Sequence, residues 1–109
     1  MGCASLPIGA STFNETATTA DATTALVVKA ANSGDQVFVT DITISTDTAT
    51  TIEIQDTASA TVSEAMYFPA TSIWSKTWSV PLEFTADEGV QVLATDAGNV
   101  AVTITGYVR

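Results

Sequence analysis

The sequence predicts an all-β protein, an antiparallel β-sandwich of jelly-roll or Greek-key type with roughly seven or eight strands and an extended N-terminal arm. Short β-branched runs separated by Gly, Asp, Asn and Pro fill the chain from residue 25 onward, a pattern typical of many short strands. No segment combines helical periodicity with capping residues. The length of 109 residues allows one hydrophobic core, so we assign one domain.

The chain divides into an arm over residues 1–24 and a single sandwich domain over residues 25–109. The arm is rich in Thr, Ser and Ala, and its large apolar side chains after Met1 are Leu6, Ile8 and Phe13. A segment with so little apolar surface cannot form a core of its own. We therefore expect it to be extended.

Seven strands are predicted within the sandwich. They cover residues 26–28, 37–44, 52–54, 66–68, 73–80, 89–94 and 100–105. Turn-forming clusters at 32–35 and 96–99 predict that the first two strands and the last two strands form hairpins. Pro69 and Pro81 are predicted to end the strands that precede them, because proline lacks a backbone N–H.

Alternation within the strands predicts which side chains face the core. On the second strand, Phe38, Ile42 and Ile44 are expected on one face. On the last strand, the apolar residues at alternate positions from Val100 to Ile104 are expected on one face, and Thr103, Thr105 and Tyr107 on the other. Each strand should therefore have one buried and one exposed side.

The charge balance argues against a nucleic-acid ligand. Three Lys and Arg stand against twelve Asp and Glu, with no His, and the formal net charge is −9. An acidic surface repels phosphates, so we expect no DNA or RNA partner. No stretch approaches the roughly 20 apolar residues that cross a bilayer, so we expect no membrane partner.

Residues that could support catalysis or bind a metal are scarce. With no His and one Cys, Cys3, neither a Ser-His-Asp nor a Cys-His arrangement can form within one chain. Asp35, Asp41 and Asp47 recur every six residues but lack the EF-hand pattern, and no two acids are marked as a glycosidase pair. We predict no catalytic residue, no cofactor and no metal site, and place these three Asp in turns or on a solvent face.

Aromatic side chains cluster between residues 67 and 78. Trp74 and Trp78 are expected on one strand face with Lys76 and Val80, and Tyr67 lies nearby in sequence. Aromatic rings in such a cluster pack in a core or at a subunit interface, or, if exposed, stack on sugar rings. We favour packing and keep Tyr67, Trp74 and Trp78 as candidate interface or ligand-binding aromatics.

The order of these segments resembles the small β-sandwich virion proteins of tailed bacteriophages, especially head decoration or cement proteins and head-fibre modules. The resemblance covers residues 26–109. It rests on the segments 37–45, 52–56, 80–84, 89–92, 96–99 and 105–107. No catalytic signature defines this group, so the likeness is one of pattern.

The resemblance implies a noncatalytic protein on the capsid exterior that occurs as a homotrimer, contacts the major capsid protein and stabilises the shell. The arm would then reach across a subunit boundary, with Leu6, Ile8 and Phe13 as anchors. The alternative is a carbohydrate- or receptor-binding module of a phage tail or fibre, in which Trp74 and Trp78 would contact the ligand. A bacterial or archaeal surface or pilus subunit is a further alternative, and an enzyme is the least favoured.

Overall fold

A computed structural model describes residues 10–109 of the chain, except the side chain of Glu64. Eight strands follow one another in this range: β1 (Ser11–Thr19), β2 (Leu26–Lys29), β3 (Val37–Thr46), β4 (Thr50–Asp56), β5 (Thr61–Phe68), β6 (Ser72–Glu83), β7 (Val90–Ala94) and β8 (Val100–Val108). The range contains no helix long and apolar enough to cross a bilayer.

The strands form two four-stranded sheets that pack as a sandwich. Sheet 1 has the order β1-β8-β3-β6 and sheet 2 the order β2-β7-β4-β5, and all neighbouring strands are antiparallel. Every connection except β4 to β5 crosses from one sheet to the other. This is the jelly-roll arrangement of eight strands, so the predicted fold class is confirmed.

Both predicted hairpins are wrong. β2 and β3 lie in different sheets, and so do β7 and β8. The first turn forms as predicted: Asp35 N donates to Asn32 O at 3.1 Å, and Gly34 has a φ of 90°. A turn cluster shows that the chain reverses but not whether the next strand pairs laterally or faces the first one from about 10 Å away in the other sheet.

The core lies between the two sheets and is aliphatic. Its fully buried side chains include Ile44, Ile52, Ile54, Val92 and Ile104. The prediction for β8 is confirmed, because Val100, Val102 and Ile104 belong to this core, while Thr103 is hydrogen-bonded to Thr16 on the exposed face.

A β-bulge in β3 overturns the predicted face of Phe38. The register of β3 with β8 shifts between Val39 and Asp41, which leaves Thr40 as an extra residue. One inserted residue reverses the alternation, so the residues before Thr40 that face the core are Val37 and Val39. Phe38 instead stacks on Tyr107, with ring centroids 5.0 Å apart and planes at 14°.

Residues 11–19 correct the prediction of an arm over 1–24. They form β1, which pairs with β8 along its whole length, from Ser11 opposite Val108 to Thr19 opposite Val100. Although this segment has few large apolar residues, backbone hydrogen bonds to β8 and the half-buried Phe13 and Ala17 attach it to the core. Residues 1–9, including Leu6 and Ile8, lie outside the described residues.

The two prolines differ in effect. β5 ends at Phe68, immediately before Pro69, as predicted. β6 continues through Pro81 to Glu83, so Pro81 does not end its strand. Between the pairs Asp41–Thr77 and Val39–Leu82, residues 78–81 bulge from the ladder, and β6 is an edge strand, where a missing N–H costs no ladder hydrogen bond.

Candidate functional site

Among residues 10–109, two of the most exposed large apolar side chains lie where β5 ends and β6 begins, at the edges of the two sheets. We call this surface the β5–β6 corner and define it by Tyr67 and Ile73, which are 89% and 72% exposed and line the same cleft. Large apolar side chains grouped at one edge indicate a surface that binds another molecule. The corner is therefore the first candidate for a functional surface.

Trp74 connects this corner to the core. It lies half-buried on β6 opposite Ile44, and its ring meets that of Phe68 edge-on at 6.4 Å and 87°. Tyr67 and Trp74 line a cleft of about 330 Å³ between the two strands. Trp74 therefore supports the wall of the cleft, whereas Tyr67 is the aromatic side chain most open to a partner.

Trp78 also packs against the core from the start of the bulge in β6. The Nζ of Lys76 lies 6.0 Å from the centroid of its ring. Val80, predicted on the same face, is instead exposed, because the bulge at 78–81 breaks the alternation. Ile73 and Val80 were not predicted as exposed residues, although Pro81 was a signal for an irregular edge strand.

Phe13 lies at the opposite side of the sandwich from the β5–β6 corner. It is half-buried on β1, packs against the core, and lies beneath Lys29 of β2, whose Nζ is 4.8 Å from the ring centroid. This contact joins the edges of the two sheets. Among the three predicted anchors, Phe13 is thus engaged within its own chain.

The outer face of sheet 1 is covered with hydroxyl groups. Thr16 and Thr103 are hydrogen-bonded at 3.1 Å, and Thr43 and Ser75 at 3.0 Å. A shallow groove of about 520 Å³ crosses one end of this face between Thr18, Asp47 and Ile73. It offers hydrogen-bonding groups and methyl groups, the properties of a binding surface.

Several carboxylates hold turns together. Asp47 accepts hydrogen bonds from the backbone N–H of Asn99 at 2.9 Å and from its Nδ2 at 2.6 Å, joining the β3–β4 and β7–β8 turns. These bonds, the side-chain bond first, lower the pKa of Asp47 below its usual value. At the opposite end of the sandwich, the buried Asp56 accepts hydrogen bonds from Thr85 and from two backbone amides.

Glu53 lies on the outer face of sheet 2, within a polar chain that also contains Gln55 and Gln91. Gln55 donates to Glu53 at 2.6 Å and Gln91 donates to Gln55 at 2.7 Å. The bond from Gln55, followed by that from Thr61, lowers the pKa of Glu53. Among the described side chains, no group of three or more His, Cys, Asp or Glu is placed to hold a metal ion.

Comparisons with known proteins give a likeness of fold. No protein-family model and no curated protein matches the sequence. Among solved structures, the chain is similar to the coat protein of Tobacco streak virus, with a TM-score of 0.50 and 12% identity over 95% of this chain and 90% of that chain. The β-sandwich predicted from the sequence is thus also the fold of a viral coat protein.

Proposed function

We propose that the chain is a noncatalytic structural protein of a virus particle, a decoration or cement protein on the exterior of a bacteriophage head. The observation that carries this proposal is the jelly-roll topology, which is similar to that of a viral coat protein over 95% of the chain. The order of the strand segments, which resembles phage head proteins, supports the phage assignment. The partners in this proposal are the major capsid protein and further copies of the chain in a trimer.

Charge supports a position on the outside of the shell. A net charge of −9 with only three basic residues disfavours contact with packaged nucleic acid. An acidic outer protein is also kept in solution by repulsion between particles. An interior scaffold that binds the genome would need the opposite sign of charge.

The roles of the polar groups support a noncatalytic protein. Asp47 and Asp56 accept hydrogen bonds from turns, and Glu53 is bound within the polar chain on sheet 2. Their pKa values are lowered, so each carboxyl stays ionised and serves as a hydrogen-bond acceptor. General acid catalysis needs a carboxyl whose pKa is raised.

The β5–β6 corner is the proposed contact with the shell, with Tyr67 as its central side chain. The test is sedimentation of the purified chain with capsids of the encoding phage prepared without it. We expect saturable binding, and we expect Tyr67→Ser to weaken it about tenfold, since exposed Tyr residues often anchor interfaces. The matched control is Val27→Ser, at a half-exposed valine on the edge of sheet 2 remote from the corner. Absence of the wild-type chain from the capsid fraction would reject the proposal.

The N-terminal residues provide a second test. Leu6 and Ile8 remain the proposed anchors to the shell. Deleting residues 2–9 keeps β1 intact, whereas a longer deletion would remove an edge strand of sheet 1. We expect the shortened chain to keep its unfolding temperature and lose capsid occupancy. Equal occupancy would remove Leu6 and Ile8 from the contact.

Tyr67 is also the observation that favours the second candidate, a carbohydrate- or receptor-binding module. Its ring is exposed and flanks the cleft on β5 and β6, as a sugar-stacking aromatic would require. Trp74 and Trp78 are half-buried against the core and fit this role less well. Quenching of fluorescence by glycans that is lost in Tyr67→Ala, without capsid binding, would favour this function.

A further inference from the structure

Sheet 1 has two edges that no described strand covers. β1 pairs only with β8, and β6 pairs only with β3 among residues 10–109. Because the order β1-β8-β3-β6 is antiparallel throughout, β1 and β6 run in opposite directions. The β6 edge of one copy can therefore extend the β1 edge of another in the same antiparallel pattern.

The two edges differ in how they are protected. Towards its end β6 carries Pro81 and the bulge at 78–81, which limit edge pairing. β1 pairs with β8 over nine residues without a register shift and contains neither Pro nor Lys. The regular part of β6, from Ser72 to Thr77, remains available for pairing with such a strand.

The register across sheet 1 makes these two edges complementary. Glu15 on β1 aligns with Ile104, then Ile42, and finally Lys76 on β6. An acid thus ends this line of residues on one side and a base ends it on the other. We propose that a second copy of this chain occupies the β1 edge through its β6 strand, with Lys76 of one copy opposite Glu15 of the next.

The neighbouring rows of aligned residues across sheet 1 also end in side chains that complement each other. Ala17 aligns through Val102 and Ile44 with Trp74, so the pairing places a large ring against a small side chain. On the outer face, Thr16 would lie opposite Ser75 and continue the hydroxyl pairs already seen within the sheet. Cross-strand pairs of this kind stabilise a sheet.

Charge favours the β1–β6 pairing over a two-fold symmetric pairing of two β1 strands. If two β1 strands paired around their centres, the two Glu15 carboxylates would lie together, and like charges opposite one another destabilise a sheet. The β1–β6 contact is heterologous, so it closes into a ring or continues as a filament. It supplies the contact for the proposed homo-oligomer and rests on that part of the proposed function, but its test needs no capsid.

Cysteine cross-linking tests the register. Thr16→Cys and Ser75→Cys are introduced together with Cys3→Ser. Within one copy these positions are three strand intervals apart, about 14 Å, which a disulfide cannot span. We expect mild oxidation to produce covalent dimers and higher species. Thr12→Cys with Ser75→Cys is the control, because Thr12 aligns with Phe38 and Glu83 and is out of register with Ser75.

Charge exchange tests the contact itself. Glu15→Lys and Lys76→Glu should each weaken self-association about tenfold, and the double variant, which restores opposite charges at every contact, should recover it. Native mass spectrometry, analytical ultracentrifugation and circular dichroism give the assembly state and confirm folding.

The outcomes separate clearly. Rings or filaments with in-register cross-links support the inference. A wild-type chain that stays monomeric at its highest soluble concentration overturns it, as does a dimer cross-linked only through Thr16→Cys in both copies. Capsid binding by a chain that fails this test would leave the proposed shell contact standing and remove the edge contact alone.

Discussion

Asp56 provides the sharpest test of how the sandwich is held together at its β4–β5 turn. Its side chain is 1% exposed and accepts hydrogen bonds from the backbone N–H of Ala58 at 2.9 Å, from that of Ala60 at 3.0 Å and from Thr85 Oγ1 at 2.5 Å. It thereby joins this turn to the β6–β7 connection. The informative changes are Asp56→Ala, which removes the acceptor, and Asp56→Asn, which keeps its shape.

The magnitudes follow from the bonds. A hydrogen bond to a charged group contributes about 1.5–3 kcal/mol, and losing one partner leaves the other unsatisfied. Because the two amides belong to a turn that water can partly reach, we expect Asp56→Ala to lower the free energy of unfolding by about 3 kcal/mol. In Asp56→Asn, Oδ1 still accepts from both amides and Thr85 can turn to accept from Nδ2, so the loss should be about 1 kcal/mol.

Urea unfolding at several pH values checks both numbers. The bond from Thr85, followed by those from the two amides, outweighs burial and lowers the pKa of Asp56 below 3.8. Its stabilising effect is therefore complete above the unfolded-state pKa and is lost as the pH falls through the folded-state pKa. The stability difference between wild type and Asp56→Asn should shrink below about pH 4.

Thr85→Val is the matched control, because it removes one of the three bonds and should cost about 1 kcal/mol. The prediction is wrong if the free energy of unfolding of Asp56→Ala lies within about 0.5 kcal/mol of the wild-type value, the range of ordinary surface substitutions. It also fails if the difference between wild type and Asp56→Asn is independent of pH.

Two further predictions concern packing. A Cβ at Gly106 would lie 2.0 Å from Phe38 O, so Gly106→Ala should lower the unfolding free energy by more than about 2 kcal/mol through displacement of β3; an unchanged urea midpoint would contradict this close approach. Ile104 is fully buried whereas Val80 is 79% exposed, so Ile104→Ala should cost about 3 kcal/mol and Val80→Ala at most about 0.5. Equal losses in parallel urea titrations would show that the burial assignment is wrong.

The strands from residue 26 onward could be predicted because their signals are local. Runs such as 37–44 combine β-branched residues with turn clusters on both sides, and backbone propensity and alternation act within a few residues. β1 could not be found in this way. Its Thr-rich sequence has little apolar pattern, and its position depends on hydrogen bonds to β8, about ninety residues later.

Strand connections and side-chain faces depend on longer-range geometry. A turn at 32–35 has the same residues whether β2 and β3 pair side by side or face each other across the core. The single extra residue at Thr40 moves Phe38 to the outer face, and nothing in the surrounding alternation marks this bulge. The aromatic cluster was identified from sequence, but the exposure of each ring depends on the face it occupies: Trp74 lies opposite the core residue Ile44, whereas Tyr67 is on the outward side of β5.

Ionic strength should act on the proposed β1–β6 contact in two opposing ways. Each copy carries a net charge of −9 and measures 41 × 27 × 20 Å. The Debye length is about 30 Å at 0.01 M salt and about 8 Å at 0.15 M. At low salt a whole neighbouring copy is therefore repelled, whereas at 0.15 M only charges near the contact are felt, among them the attractive pair of Lys76 and Glu15.

Cross-linking of the Thr16→Cys, Ser75→Cys chain should consequently rise between these two concentrations. When Lys76→Glu is added to this chain, the contact charges repel as well, so its cross-linking yield should stay below that of the unaltered contact at both salt concentrations. A wild-type yield that is highest at 0.01 M would mean that the overall charge does not oppose the contact, and that the edges meet in an arrangement other than the one proposed.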